Sequence, residues 1–586
     1  MYSIKREPLA SRWDDRRPDG YDVVIVGSGY GGAVTAARLA TAVWPAGAKP
    51  TVCILERGRE WLPGQFPDSL ERGLQEARGP LNPLGIYDTN FSTDIGIIMG
   101  SGLGGTSLVN ANIAIRPDRE VFEQDRWPEA VREASQAGGL DAYFDRVRMT
   151  LFAGPHPEGL SLSKVKALKR GAEGLANATF GLHDIVVNFR FEGRNHWGVQ
   201  QRKCINCGDC VTGCNVGAKN TLDTNYLAIA KSGGAEIFTQ VEVKRVTPEA
   251  GGGYLVHYLW RESAHGEAEE GALRAKRVVV LAAGSLGSTG ILLRSRAAGL
   301  DLPDSVGARF GGNGDFFGLA YNSDLRTDTL GWGAYPESDR ARRMQPADGR
   351  LLNPGPTIVS RIRYDTGGPL RERVKSEDLS LPRMYVDAAR TALAFAVGRD
   401  TDPRDVRDNF EELGRRFLDI GGADPRLEKG ALNYSLAYLV NGHDDAGGRV
   451  ELDPATDEPR VKWPGVGGQE FFRRANQLLL EHAAALGATY VENPLWGFLP
   501  FRTLVTAHPL GGCAMSDSHA TGVVNHVGQV YNPQGGIYDG LRVADGAIIP
   551  TSLGVNPFLT ISALAERAAE QLVGELGGTP AVLERI

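Results

Sequence analysis

Short apolar runs along this chain alternate with glycine turns, and the clearest case lies near the N-terminus. Asp22-Val-Val-Ile-Val26 is a β-branched run, the pattern of a strand buried on both faces. The turn Gly27-Ser-Gly-Tyr-Gly-Gly32 follows it, and the alanine-rich residues 33–42 then read as a helix. A second strand is expected at residues 51–55, ending at Glu56, and a returning strand at 278–283 before Gly284. Asn556 and Pro557 open a C-terminal helix running through Ala563 and Glu566, with proline tolerated in the first turn. Residues 408–418 place Glu411, Glu412, Arg415 and Arg416 between apolar positions, the spacing of an amphipathic helix that serves as a lid, a docking face or simply a solvated surface. The longest apolar run, around residues 392–397, falls far short of the ~20 residues that span a bilayer.

The strand, turn and helix at residues 22–42 form a dinucleotide-binding pattern. Gly27 permits the turn, Gly29 lets the backbone approach a pyrophosphate, and Gly32 lets helix and strand pack closely. Glu56 at the end of the second strand suits ribose hydroxyls and points to FAD or NAD rather than NADP. The glycine-rich stretch 100–110, with Gly102, Gly105, Ser107 and Asn110, supplies unobstructed N–H groups for the rest of an extended dinucleotide, which selects FAD; a surface loop is the plainer reading.

Composition narrows the class. The chain has 586 residues, 42% hydrophobic and 23% charged, and 75 glycines, which suits an enzyme rich in tight turns. Its net charge of -7 comes without a long basic run, so nucleic acid is excluded as the main partner. The N-terminal residues are polar, and neither a secretory signal nor an integral membrane segment is read there. A reducing cytoplasmic location is the default, with export of the folded chain by a partner left open.

Four of the six cysteines, Cys204, Cys207, Cys210 and Cys214, fall within eleven residues as C-x2-C-x2-C-x3-C, the spacing bacterial ferredoxins use for iron–sulfur clusters. Tetrahedral zinc fits less well, because no second CxxC or His pair lies nearby. In ferredoxins the fourth cysteine serves a second cluster and precedes proline; here Asn215 follows it and no second run exists. Simple packing, or a local disulfide in an exported homologue, are the plainer alternatives. Cys53 and Cys513 read as core residues.

Three segments near the C-terminus carry a resemblance: His508-Pro-Leu-Gly-Gly-Cys513, Leu541-Arg-Val-Ala-Asp-Gly546, and the stretch from Gly554 through Val-Asn-Pro-Phe to Arg567. With the two glycine loops they make the chain similar to the glucose-methanol-choline (GMC) oxidoreductases, most of all to the cholesterol oxidase branch. The resemblance implies an α/β fold with two domains. A discontinuous, doubly wound FAD domain would gather residues 18–118, 204–318 and 508–580, and a substrate domain with a large antiparallel sheet would take 119–203 and 319–507. It implies His508 and Asn556 as the catalytic pair. Val241 would contact adenine, and Asp545, Gly546, Pro557 and Phe558 would lie against the cofactor. An imidazole that accepts a proton and an amide that orients the same hydroxyl suit oxidation of an alcohol.

The cysteine run is similar to that of iron–sulfur FAD glucose dehydrogenase catalytic subunits, whose C-x5-C-x3-C spacing matches Cys204, Cys210 and Cys214. That implies a three-iron cluster, with Cys207 spare or available as a fourth ligand. The glutamate that moves a proton during isomerisation in cholesterol oxidases has no counterpart at residues 357–363, which contain no acid; alcohol oxidation without obligatory isomerisation is therefore expected. Three functions follow: FAD-dependent oxidation of a sterol or other bulky apolar alcohol; an iron–sulfur-linked dehydrogenase of a sugar or polar alcohol passing electrons to a cytochrome, another acceptor protein or a quinone; and a lyase that keeps FAD without redox use.

Overall fold

The computed structural model describes residues 4, 6–333, 353–395, 397–402, 405–420, 429–497 and 502–581; residue 396 of the long apolar run lies outside them. Tyr21–Val26, buried along nearly its whole length, sits at the centre of a parallel sheet. Val52–Leu55 pairs with it on one side and Glu269–Leu281 on the other. Glu236–Phe238 and Ile537–Val543 extend the parallel array at its two sides. The expected strand at 278–283 is the buried end of a strand of 13 residues. Its first half leaves the parallel core and pairs antiparallel with Tyr254–Trp260, which in turn pairs with Val241–Pro248.

The first helix, Tyr30–Thr41, begins three residues earlier than its alanine run because Gly31 and Gly32 already belong to it. A Cβ on Gly31 would stand 1.3 Å from the Ala544 carbonyl oxygen, and one on Gly32 would stand 2.1 Å from that of Gly27. These glycines therefore set how closely the helix approaches the sheet. The last helix, Phe558–Glu575, packs along the first. The rings of Tyr30 and Phe558 stack at 4.7 Å, and eight residues further along each helix Arg38 and Glu566 form a buried ion pair. The two helices are thus parallel, and both positive N-terminal ends point the same way.

A second sheet of seven antiparallel strands, counted among the described residues, runs in the order Arg399–Asp400, Thr489–Glu492, Phe316–Tyr321, Leu436–Asn441, Val374–Leu379, Ser360–Tyr364 and Ala178–Leu182. Register puts Phe317, Leu439, Glu377 and Arg361 in one row across a single face. Lys375 and Asn441 are partners in the next row, which Asp315 joins through a hydrogen bond from Asn441. One face of this sheet thus carries both the ionisable groups and an apolar strip.

The amphipathic helix expected at 408–418 forms as Val406–Ile420, but its polarity is turned round. Glu412 and Asp419 are buried, and Arg415 bonds Asn322, whereas Phe410 and Phe417 are exposed. No helix among the described residues is long and apolar enough to cross a membrane.

Candidate active site

The two glycine loops predicted from the sequence meet in space. Ser28 Oγ accepts from Gly104 N–H at 2.9 Å, and a Cβ on Gly105 would come within 3.0 Å of the Gly29 Cα. Gly102 and Gly105 both hold positive φ, 151° and 55°, so only glycine keeps this second loop flat against the first. Gly27 likewise takes φ 96° at the turn. Gly29 caps the first helix and has open space in front of it, with nothing within 4 Å of where a Cβ would sit, which leaves room for a phosphate over the helix N-terminus. Glu56 is buried, taking N–H and O–H donors from Ser28 and an N–H from Gly58. Val241 opens its strand and gives its N–H to the Glu56 carbonyl. Ser107 Oγ donates to the Gly104 carbonyl and accepts from Leu222 N–H, while Asn110 donates to the Tyr30 hydroxyl.

Asp545 and Gly546 act one layer further out. The Asp545 carboxylate receives the N–H groups of Gly284 and Ala547 and the Ser288 hydroxyl. Burial raises it to about 6 against those donors. The Gly546 carbonyl accepts from Gly511 N–H, which ties this segment to the loop after His508. Pro557 caps the last helix and Phe558 begins it.

His508 and Asn556 come together on the sheet face. His508 Nδ1 stands 2.8 Å from Asp315 Oδ1, and Nε2 has no protein partner among the described residues. Burial works against a charged ring here, but the Asp315 carboxylate outweighs it and the net effect raises the His508 pKa. Asp315 is fixed by Thr506, Ala507 N–H and Asn441. Asn556 donates to Glu377 at 3.3 Å and keeps its own Oδ1 buried without a partner. Glu377 is fully buried; burial alone would raise its pKa, but His183 at 2.9 Å, Lys375 and the Asn556 amide hold it below the ordinary carboxylate range. Lys375, also buried, donates to the Gly554 carbonyl at 2.9 Å, and desolvation brings it down to about 7.

Asp315, Glu377, Lys375 and Asn441 were not singled out from the sequence. Residues 357–363 contain no acid, and Arg361 there lies directly opposite Glu377 on the neighbouring strand. A buried carboxylate is thus available beside Asn556.

The four clustered cysteines all carry free thiols and line one small chamber. Cys53 and Cys513 are separately buried, as expected. Lys219, itself buried, lies between the chamber and the second glycine loop. Its Nζ donates to the Asn110 carbonyl at 2.7 Å and to the Cys210 carbonyl at 3.1 Å.

Comparison with known proteins identifies the family. GMC oxidoreductase family models match residues 21–310 and 445–565, and the chain belongs to that family. It is an FAD-dependent oxidoreductase. It is 26% identical to a cholesterol oxidase of Acinetobacter baumannii, covering 94% of this chain and 93% of the relative. It is also 26% identical to the long-chain-alcohol oxidase FAO4B of Arabidopsis thaliana, covering 95% of this chain and 67% of the relative. Two solved structures share the fold: pyridoxine 4-oxidase from Mesorbium loti, with TM-score 0.54, 15% identity and coverage of 94% and 98%, and formate oxidase from Aspergillus oryzae, with TM-score 0.58, 14% identity and coverage of 95% and 99%. The open space at Gly29 and the buried, unpartnered Asn556 Oδ1 leave these residues free to hold FAD, which would supply the hydride acceptor.

Proposed function

We propose that the protein oxidises the hydroxyl-bearing carbon of a bulky, largely apolar alcohol, a sterol or long-chain alcohol, to a carbonyl. The observation that carries this reading is the Asp315–His508 pair on the same sheet face as Asn556, which bonds Glu377. The alcohol O–H donates to His508 Nε2, and Asn556 Oδ1 or its amide fixes the same group in near-attack geometry. Bound FAD supplies the acceptor for the hydride that leaves the carbinol carbon. His508 takes the hydroxyl proton, and Asp315 stabilises the imidazolium that results. The parallel helices that begin at Tyr30 and Phe558 favour negative charge at their shared end.

An apolar substrate is supported by the strip of Phe317, Leu379 and Leu439 beside Glu377. These side chains belong to a cluster with Ile113, Ile185 and Ile358, and the relatives' names point the same way. Anaerobic mixing with a 3-hydroxysterol or a long-chain alcohol should bleach the flavin. Bleaching by sugars alone would move the substrate to the polar class, and no bleaching with any alcohol would favour a lyase.

A second reading concerns the electron exit. An iron–sulfur cluster in the cysteine run would pass electrons singly to a cytochrome or quinone in place of dioxygen. Its support is Lys219, a single buried cation that touches both the flavin-side loop and the cysteine run. Turnover with a one-electron dye but not with dioxygen is its expected signature; dioxygen as an equally good acceptor would remove it. The free state of all six cysteines fits a reducing, cytoplasmic compartment.

A further inference from the structure

We infer that the chamber formed by Cys204, Cys207, Cys210 and Cys214 is a four-thiolate site for a four-iron cluster, with Cys207 as a ligand and not a spare. This rests on the cluster reading above and goes beyond it in ligand number and cluster type.

All four cysteines line the one chamber, and its other walls include apolar groups such as Val187 and Pro356. Cys207 is part of the wall of that chamber on the same footing as the other three. The spacing of the sulfurs decides what they can hold. Among the described residues no three of these sulfur atoms lie within 4.8 Å of one another. A single tetrahedral zinc with Zn–S of ~2.3 Å needs sulfurs about 3.8 Å apart. A cluster places several irons between its thiolates and so does not require the close sulfur set that one zinc ion needs.

Backbone and carboxylate contacts hold the loop round the chamber, and the Cys204 thiol itself meets Asn206. Trp332 N–H donates to the Cys207 carbonyl, and the Thr357 hydroxyl donates to that of Gly208. The Asp209 carboxylate receives the N–H groups of Gly333 and Arg383. Asn206, Gly208 and Gly213 take φ of 58°, 83° and 107°, which curls the loop round the chamber. A site whose ligands are placed by surrounding hydrogen bonds is preorganised.

Asn215 accounts for the fourth cysteine. Where ferredoxins continue with proline and send that cysteine to a second cluster, the Asn215 side chain accepts from Gly64 and Phe66 N–H and donates to the Phe66 carbonyl. The chain is pinned there, so Cys214 stays in the same chamber as the other three. Among the described residues, the buried Lys219 ammonium donates its hydrogen bonds to the Asn110 and Cys210 carbonyls. A buried cation of this kind is offset by an anionic cluster beside it.

The test uses full-length protein purified without air with its flavin bound. Iron and acid-labile sulfide are counted per flavin, and EPR spectra are recorded before and after reduction for the wild type and Cys207→Ser. About four irons and four sulfides, with a signal that appears only on reduction, are expected for the wild type. About three irons, with a signal already present without reduction, are expected for Cys207→Ser at unchanged flavin content. Three irons in both proteins would overturn the inference while leaving the cluster reading intact. One metal ion without sulfide would overturn both in favour of a mononuclear site. No metal or sulfide in the wild type would remove the cluster reading itself.

Discussion

Asp315 and His508 stand 2.8 Å apart across 193 residues of sequence. The carboxylate stands just before an internal strand of the antiparallel sheet and the imidazole lies in the loop that returns to the parallel one, so the pair exists only when the two sheets are docked. Its electrostatic consequence is a His508 pKa above the ordinary histidine value despite burial.

A base must be unprotonated to accept a proton, so flavin reduction should rise with pH through the His508 titration, above ~6.5. Asp315→Asn removes the charge that raises this pKa, and the limb should move to lower pH while the plateau rate falls by roughly 100-fold. Anaerobic stopped-flow reduction between pH 5 and 9 checks both. An unmoved limb would mean that another group titrates.

Glu377 gives a prediction about product rather than rate. With a 3-hydroxy-5-ene steroid, the buried carboxylate beside Asn556 is in place to move a proton after oxidation. The wild type should then yield the conjugated 4-ene ketone, and Glu377→Gln should stop at the 5-ene ketone with flavin reduction slowed less than about 10-fold. Chromatography of the products separates the two ketones. Conjugated ketone from Glu377→Gln at the wild-type rate would exclude this role.

Lys375 links the site to stability. In the unfolded chain it keeps its proton to ~10.4, whereas in the fold it loses it at about 7. Between these values the unfolded state binds more protons, so this residue makes unfolding less favourable as pH rises, by up to ~1.4 kcal/mol per unit. Below about 7 the cost of burying the charged form is present in full. Lys375→Met should flatten the rise in denaturation midpoint from pH 7 to 9 relative to wild type; identical slopes would assign the titration elsewhere.

Gly29 and Gly31 separate cofactor binding from folding. Alanine at Gly31 drives a methyl into the Ala544 carbonyl, so the variant should fail to fold or lose several degrees of Tm. Alanine at Gly29 meets no protein atom within 4 Å and suits the extended backbone there. It should fold normally and lose FAD affinity, by 10-fold or more if a phosphate sits over that position (~1.4 kcal/mol). Apo-protein melting and FAD titration read the two effects apart.

The legible parts of the chain are those whose reason is local. The loop at Gly27, the strand ending at Glu56 and the helix after Pro557 announce themselves through runs of a few neighbouring residues, and His508 and Asn556 stand inside such segments. Asp315, Glu377, Lys375 and Asn441 come from separate strands, and only register across the sheet makes them neighbours. A lone acid in a strand carries no sequence signal for what will lie opposite it. The helix at Val406–Ile420 shows the same limit: its period was readable, but which face turns inward was set by Asn322 and the groups around Glu412.

The most direct measurement is the rate of flavin bleaching when a 3-hydroxysterol or a long-chain alcohol is mixed anaerobically with wild type and with His508→Ala. Full bleaching of the wild type, and reduction slowed by roughly 100-fold or more in a variant that still binds FAD, is the expected result. Equal bleaching rates in the two proteins would contradict the role given to His508, and a flavin that stays oxidised with every alcohol would contradict alcohol oxidation itself.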